Sequence, residues 1–315
     1  MIERVPSAEG VLAAAKRIAS LVTRTPLLPL DWQGRRFWVK PECLQQSGSF
    51  KLRGASNRLM QLSDAERARG VVAFSSGNHA QGVAMAAQRL GIAATIVMPA
   101  DAPAVKVEGT RNSGAEIVFF DRETESREAI GARLAAEQGA TLVPSFDDVD
   151  VIEGQGTIGV ETGEQLGKAP PLVIVPCGGG GLSGGIALAL PESRIVPVEP
   201  AGWDDMTRSL ETGRIVPVEE PPPPTLCDAL QTKLVSPLTF GALRDAGARG
   251  LAVSEAEVEE AMRFAFRNLR IVAEPGGAVA LAALISGRVD APDGSVIVVS
   301  GGNVDPALYA RIVGR

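Results

Sequence analysis

The chain has 315 residues, a net charge of −6 and 45% hydrophobic residues, which is enough apolar material for a large core in one or two domains. The negative charge argues against a nucleic-acid or anionic-membrane surface, and no apolar run is long enough for a membrane span. Three widely spaced cysteines and a single histidine fit no zinc pattern, and they predict a reduced, cytoplasmic protein.

The chain opens with a pattern typical of a capped helix. Ser7 precedes apolar residues at helical spacing, from Val11 to Ile18. Short strands are predicted at 28–30 and 37–40, and a helix then runs to about residue 61. We expect a polar linker that ends at Gly70.

From residue 71 onward, short apolar segments alternate with helical patterns. The predicted strands are 71–74, 92–98, 116–119, 141–143, 172–175, 194–198 and 295–300. The predicted helices are 80–90, 104–113, 124–138, 153–166, 182–190, 204–211, 254–269, 276–286 and 305–313. This alternation predicts parallel sheets covered by helices on both faces. The four prolines at 221–224 break the rhythm and indicate a surface linker or the edge of a lid.

One lysine stands in a position suited to covalent chemistry. Lys51 follows the small, polar segment 46–50 and begins a helical pattern. The positive end of a helix favours loss of the lysine proton, and an unprotonated amine can attack a carbonyl group. A lysine in a first helical turn is also commonly just solvated, so this feature alone leaves both interpretations open.

Four glycines, Gly178, Gly179, Gly180 and Gly181, follow a predicted strand and open a helix. Converging backbone N–H groups at a helix N-terminus predict a phosphate site. The spacing Gly179-x-Gly181-x-x-Gly184, with Glu199 further on, also fits a dinucleotide-binding motif, so an NAD-dependent oxidoreductase is a remote alternative. That motif usually opens its fold, whereas here it lies past the middle of the chain.

Two further loops follow predicted strands and carry polar groups. Ser75-Ser76-Gly77-Asn78-His79 offers hydroxyls and N–H groups suited to a carboxylate, and Asn78 can donate to a phenolate oxygen. Ser300 places a hydroxyl at the carboxyl end of a strand, where α/β sheets bind ligands. Each loop also fits an ordinary helix cap.

Together, the segments 49–55, 75–79, 178–181 and 300–303 resemble four signatures of one family. It is the threonine/serine dehydratase and serine racemase group of fold-type II pyridoxal-phosphate (PLP) enzymes. The resemblance runs from about Arg24 to Asp305. It implies an α/β fold like that of the tryptophan synthase β chain, with two open, twisted, mostly parallel sheets covered by helices. The active site would lie in the cleft between a large domain of residues 1–69 and 146–315 and an inserted small α/β domain of residues 70–145. No C-terminal regulatory domain is expected.

The resemblance also implies roles for individual residues. Lys51 would carry PLP and act as the base, while Ser76 would face the substrate Cα from the opposite side as the second catalytic residue. The substrate would be bound by Ser75, Ser76, Gly77, Asn78 and His79. The cofactor would be held by Phe50 and Glu274 near the ring, Asn78 at O3′, Ser300 at the pyridine nitrogen, and Gly178, Gly179, Gly180 and Gly181 at the phosphate. Core packing for Phe50 and helix capping for Glu274 are alternatives.

Residues 199–205 carry two carboxylates on one loop. Glu199, Asp205 and the carbonyl of Trp203 have the spacing at which family members hold a cation such as Mg²⁺ or Ca²⁺. Acidic residues near a helix start are also commonly dipole partners.

The expected function is β-elimination of a small β-hydroxy amino acid, with L-threonine or L-serine as substrate, to a 2-oxo acid and ammonia. Racemisation and 3-hydroxyaspartate dehydration are alternatives on the same scaffold. The segment 226–231 departs from the Ala-Asp-Gly of relatives, which leaves the substrate side chain open, and Arg127 is either a second carboxylate contact or a surface residue. We expect a cytoplasmic homodimer that binds neither nucleic acid nor membrane.

Overall fold

The computed structural model describes residues 4–75, 77–102 and 104–314, and its strands form two sheets. The larger sheet contains β1 (Leu28–Trp32), β2 (Arg35–Pro41), β7 (Leu172–Pro176), β8 (Arg194–Pro200), β9 (Leu251–Val253) and β10 (Val296–Val299), in the order β1-β2-β10-β7-β8-β9. The smaller sheet contains β3 (Val71–Phe74), β4 (Ala94–Pro99), β5 (Glu116–Phe120) and β6 (Thr141–Leu142), in the order β5-β4-β3-β6. The β1–β2 pair is antiparallel and the other pairs are parallel.

Helices connect these strands. The α-helices are α1 (Ala8–Ile18), α2 (Lys51–Met60), α3 (Asp64–Arg69), α4 (Asn78–Leu90), α5 (Ala104–Asn112), α6 (Arg127–Gln138), α7 (Val149–Leu166), α8 (Gly181–Ala189), α9 (Asp205–Thr212), α10 (Pro237–Asp245), α11 (Glu255–Phe264), α12 (Pro275–Ile285) and α13 (Pro306–Val313). Short 3₁₀ turns occur at Glu42–Leu44 and Asp228–Leu230, and a π-helical turn at Ala265–Leu269 extends α11. Among the described residues, none of the helices combines the length and the apolar composition that crossing a bilayer requires.

The strands at the centre of each sheet are apolar on both faces. Every residue of β4, β7 and β10 is buried. Helices α11 and α12 cover one face of the larger sheet, and helices α8 and α10 cover the other. This is the packing expected of parallel sheets in α/β proteins, and it confirms the predicted fold class.

Helix α2 packs against the smaller sheet although it precedes that sheet in the chain. Its residues Leu52, Ala55 and Leu59 share one apolar cluster with Val71 and Ile96 of the sheet. The four strands of this sheet fall inside the predicted insert of residues 70–145, whereas α2 lies outside it. The division of the chain into domains stays a prediction.

Glycines let α2 approach α7 closely. A Cβ on Gly154 would lie 2.7 Å from the Cα of Gly54, which is shorter than any normal contact. A side chain at either position would therefore push the two helices apart and displace the start of α2, where Lys51 lies.

Several elements differ from the sequence-based prediction. The expected polar linker before Gly70 is wrong, because Ser63 and Glu66 form a capping box that begins α3. Helix α7 begins four residues earlier than predicted, because Asp148 caps it, and α6 begins three residues later, after Ser126. Helix α10 and strand β9, which follow the proline segment, were not predicted.

A buried group of charges joins α2 to its surroundings. The guanidinium of Arg53 donates to Glu42 (2.8 Å) and to Glu161 (2.7 Å), and Lys40 donates to Glu161 (2.7 Å). Arg53, Glu42 and Lys40 are fully buried, so each charge depends on its partners to offset the loss of hydration.

We expect Arg53→Leu to lower the free energy of unfolding by about 3–5 kcal/mol, because Glu42 would be left buried without its partner. Arg24→Leu is the matched control: it removes a pair with Glu164 in which both side chains are about half exposed, and should cost less than about 1 kcal/mol. Urea unfolding of both variants measures the difference, and equal losses would show that the buried group does not hold α2.

Candidate active site

Strands from both sheets end at one cavity of about 900 Å³. Its lining includes residues just after or at the carboxyl ends of β3, β5, β6, β7 and β10, namely Ser75, Phe120, Pro144, Gly178 and Ser300. The carboxyl edge of a parallel sheet is where α/β folds bind ligands, and this volume accommodates a cofactor with a small substrate.

Lys51 is the first residue of α2 and lines this cavity. The loop before it is fixed to the end of β10: Ser49 bridges Gly301, and the N–H of Phe50 donates to the carbonyl of Ser300 (3.0 Å). The lysine and serine segments, 250 residues apart in the chain, are thus joined by backbone contacts.

The amine of Lys51 is poised for deprotonation. Its Nζ donates to the backbone carbonyl of Ser145 (2.7 Å) and lies 5.0 Å from the centre of the Phe50 ring. Burial lowers the pKa of Lys51 from 10.5 to about 8, since the charged form loses hydration. The neutral amine is therefore a minor form near pH 7 but far more abundant than for an ordinary lysine, and attack on an aldehyde requires this neutral form.

The glycine segment forms the N-terminus of α8. Gly180 has a φ of +84° and precedes the first residue of the helix, and Gly178 to Gly181 all line the cavity. A Cβ on Gly179 would overlap the ring of Phe146, so this cradle requires residues without side chains. Unpaired N–H groups at a helix start fit the phosphate of PLP.

The segment predicted to bind the substrate also borders the cavity. Ser75, Gly77, Asn78 and His79 line it, and α4 begins at Asn78. Ser76 lies outside the described residues. The N–H of Gly77 donates to the hydroxyl of Ser75 (3.1 Å).

The histidine is held as a neutral hydrogen-bonding group. Its Nε2 is 2.9 Å from the carbonyl of Val143, and its ring is almost fully buried. Burial, together with the charge of Lys51, lowers the pKa of His79 to about 3. A group with this pKa is uncharged at neutral pH, so the geometry gives His79 no role as a general acid.

A hydrogen-bonded chain links three polar side chains at the cavity floor. Asn78 Nδ2 donates to Glu274, and Asn303 Nδ2 donates to Asn78 Oδ1 (2.7 Å) and to the carbonyl of Ser47 (2.9 Å). Burial, and then the charge of Asp228, raise the pKa of Glu274 to about 8. Sequence reasoning missed the role of Asn303 in orienting Asn78, although Asn303 is part of the motif after β10.

Sequence reasoning also missed a charged pair in the cavity. Lys106 of α5 forms an ion pair with Asp228, which follows the proline segment. Nothing in the local pattern around Lys106 distinguishes it from a surface lysine. The one sequence feature that pointed to this pair was the unusual segment 226–231, which contains Asp228, the partner of Lys106.

The predicted cation site adjoins the cavity: Trp203 lines the cavity, whereas Glu199 and Asp205 do not. Both carboxylate oxygens of Asp205 are buried and accept no hydrogen bond, and burial raises the pKa of Asp205 to about 7. Glu199 accepts from the N–H groups of Met206 (3.0 Å) and Thr207 (2.8 Å). Unsatisfied oxygens at Asp205 fit a hard cation, while among the described residues no three Cys, His, Asp or Glu side chains form a metal-binding group.

Glu199 is also the acidic residue on which the dinucleotide alternative depends. It is fully buried, its oxygens accept bonds from the start of α9, and it does not line the cavity. A ribose hydroxyl in the cavity would not reach it, which weighs against that alternative.

The chain is similar to known proteins over nearly its whole length. A model of the family "pyridoxal-phosphate dependent enzyme" matches residues 18–301. The chain is 44% identical to an L-threo-3-hydroxyaspartate ammonia-lyase from Pseudomonas sp over 98% of this chain and 99% of that protein. It is 40% identical to an L-threonine ammonia-lyase from Thermotoga maritima over 98% of this chain and 78% of that protein. Maize serine racemase has a similar structure, with a TM-score of 0.91, 36% identity and coverage of 98% of this chain and 97% of that chain.

The pKa of Lys51 predicts how uptake of pyridoxal phosphate depends on pH. Below about pH 8 most of the amine is protonated, so the rate of uptake by the cofactor-free protein should rise as the pH passes through about 8. Absorbance of the bound cofactor measures this rate, and Lys51→Ala should show no covalent uptake. A midpoint near 10.5, the ordinary value for lysine, would show that burial does not act on this amine.

Proposed function

Because the chain belongs to the pyridoxal-phosphate dependent enzyme family, we propose that it is an ammonia-lyase that dehydrates a β-hydroxy amino acid. The observation that carries the proposal is the meeting of Lys51, the glycine N-terminus of α8 and Ser300 in one cavity. We name L-threonine or L-serine as the substrate. The 44% identity to a hydroxyaspartate ammonia-lyase favours L-threo-3-hydroxyaspartate as a second candidate.

The residues present would hold the cofactor at three points. The N–H groups of Gly178 to Gly181 would bind its phosphate, Ser300 its pyridine nitrogen and Asn78 its phenolate oxygen. When bound, pyridoxal phosphate withdraws electrons from the substrate Cα and so acidifies the Cα proton. Because a serine hydroxyl is not an acid strong enough to keep the pyridine nitrogen protonated, we expect this site to favour elimination.

Lys51 would act as the base that removes the Cα proton. Its neutral amine takes the proton from Cα, and the Ser75–His79 segment holds the α-carboxylate in place with backbone N–H groups. The Cβ–O bond would then break, and the hydroxyl would leave as water, gaining one proton for the one that Lys51 removed from Cα. The released unsaturated amine takes up water and loses ammonia, so the net products are a 2-oxo acid and ammonia, with no water consumed overall.

Racemisation is the nearest competing reaction, because the chain also resembles maize serine racemase. It requires an acid on the face of Cα opposite Lys51, a role that we assign to Ser76. Dehydration needs no such group, so the two reactions are separable by measuring the remaining substrate.

We expect Lys51→Ala to lower release of 2-oxo acid by at least about 1,000-fold, because it removes the attachment point and the base together. Lys168→Ala, at an exposed lysine distant in sequence, is the control and should keep full activity. The measurement is a 2-oxo acid assay across L-threonine, L-serine and L-threo-3-hydroxyaspartate, with chiral analysis of the substrate that remains. Turnover by Lys51→Ala at the wild-type rate would overturn the proposed function, and racemised substrate without 2-oxo acid would favour the racemase.

We further propose that a divalent cation binds Asp205, with Glu199 and the carbonyl of Trp203. The unpartnered, buried oxygens of Asp205 support this site. A chelator should lower the melting temperature by about 5 °C, and Mg²⁺ or Ca²⁺ should restore it. Asp205→Asn should be insensitive to the chelator, whereas Asp204→Asn, at the neighbouring helix-capping position, should respond like the wild type. A wild-type melting curve that ignores the chelator contradicts the site.

A further inference from the structure

The cavity contains a buried cation whose partner is about half exposed. The side chain of Lys106 is 8% exposed, and its Nζ pairs with Asp228, whose side chain is 48% exposed. Lys106 belongs to α5 beside the smaller sheet, while Asp228 belongs to a segment that packs against Gly178 at the end of β7. The pair therefore spans the cavity.

Lys106 lies next to the segment assigned to the substrate carboxylate. Its Nζ is 3.8 Å from the position that a Cβ would occupy on Gly77. An amino acid held by its α-carboxylate at this segment would extend its side chain into the same region. Lys106 is therefore close enough to this segment to pair with a charged group on a short substrate side chain.

The other cations that line the cavity are placed differently. Arg122 pairs with Asp101, and Arg127 pairs with Glu128, and both arginine side chains are about half exposed. Lys233 pairs with Glu220 and is 66% exposed. Exposed pairs contribute little to binding because water competes for them, so Lys106 is the cation best placed to select a ligand charge.

Lys106 depends on the ion pair more than Asp228 does, because Lys106 is buried and Asp228 is about half exposed. A buried ammonium needs an anion beside it, because an unpaired buried charge is costly. Asp228 can return to water when it leaves, whereas Lys106 cannot. An incoming carboxylate can therefore replace Asp228 at Lys106, while a methyl group cannot.

We propose that Lys106 binds the side-chain carboxylate of an acidic β-hydroxy amino acid. When no such substrate is present, Asp228 forms the ion pair with Lys106 instead. The proposal rests on the proposed function and names its substrate class. With threonine or serine the Lys106–Asp228 pair stays in place, so these substrates gain nothing from Lys106. An acidic substrate gains a charge-assisted hydrogen bond from Lys106, at a position that is largely shielded from solvent.

The test compares kcat/KM for L-threo-3-hydroxyaspartate with kcat/KM for L-threonine in the holoenzyme. In Lys106→Met the ratio of the two values should fall by about 10- to 100-fold, as expected for loss of a hydrogen bond to a charged group. Lys106→Arg should retain most of the preference, and Lys233→Met, which removes an exposed cation of the cavity, should leave the ratio within about twofold of wild type.

Asp228→Asn separates this role from a structural one. If Asp228 competes with the substrate, its removal should raise the ratio. If the ion pair merely supports the fold, Lys106→Met and Asp228→Asn break the same pair and should change both substrates alike. Equal losses for both substrates in Lys106→Met would overturn the proposal, and Lys106→Gln provides the same test should the methionine variant fail to fold.

A binding measurement distinguishes failure of this proposal from failure of the proposed function. Succinate and butyrate have the same four-carbon chain, and succinate carries the second carboxylate. Succinate should raise the melting temperature of the wild-type holoenzyme more than butyrate does, and Lys106→Met should abolish the difference while Lys233→Met keeps it. Equal shifts by the two acids would overturn the assignment of Lys106, whereas absence of 2-oxo acid from every hydroxy amino acid would overturn the lyase.

Discussion

Arg53 holds the helix that carries Lys51 in place. Arg53 is two residues after Lys51 in the chain. Its guanidinium donates to Glu42, which follows β2, and to Glu161 of α7. Arg53 and Glu42 are fully buried, so a shift of α2 would leave them unpaired at a cost of several kcal/mol. The helix start, and with it the position of the reactive amine, is therefore fixed by electrostatics as well as by the close Gly54–Gly154 contact.

The cavity exists because parallel strands of two sheets end facing it. Backbone contacts join Ser49 to Gly301 and Phe50 to Ser300, and the side-chain amine of Lys51 donates to the backbone carbonyl of Ser145. These loops carry little apolar surface of their own, so the rigid sheets beneath them determine their positions. The arrangement brings an amine, an anion-binding helix end and a hydroxyl together without any of the three being adjacent in sequence.

Burial sets the protonation of groups in and near the cavity. It lowers the pKa of Lys51 to about 8 and of His79 to about 3, and it raises the pKa of Glu274 to about 8. The amine thereby becomes reactive and the histidine neutral, because in each case the charged form loses hydration. The same loss of hydration keeps Lys106 beside an anion, which links the selection of a substrate charge to the burial of one lysine.

The sequence by itself determined the α/β class, the positions of nearly all strands along the chain, and the residues Lys51, Ser75, Asn78, Gly178–Gly181 and Ser300 that line one cavity. These features are local: strand and helix periodicity, glycines before a helix, and short motifs with a chemical purpose. Tertiary structure decided what depends on distant partners. Lys106 and Arg53 look like ordinary helix cations in sequence, and α3 reads as a linker because its six residues carry no apolar stripe. Their roles follow from pairs separated by more than 100 residues, Lys106 with Asp228 and Arg53 with Glu161, and local sequence does not encode such pairs.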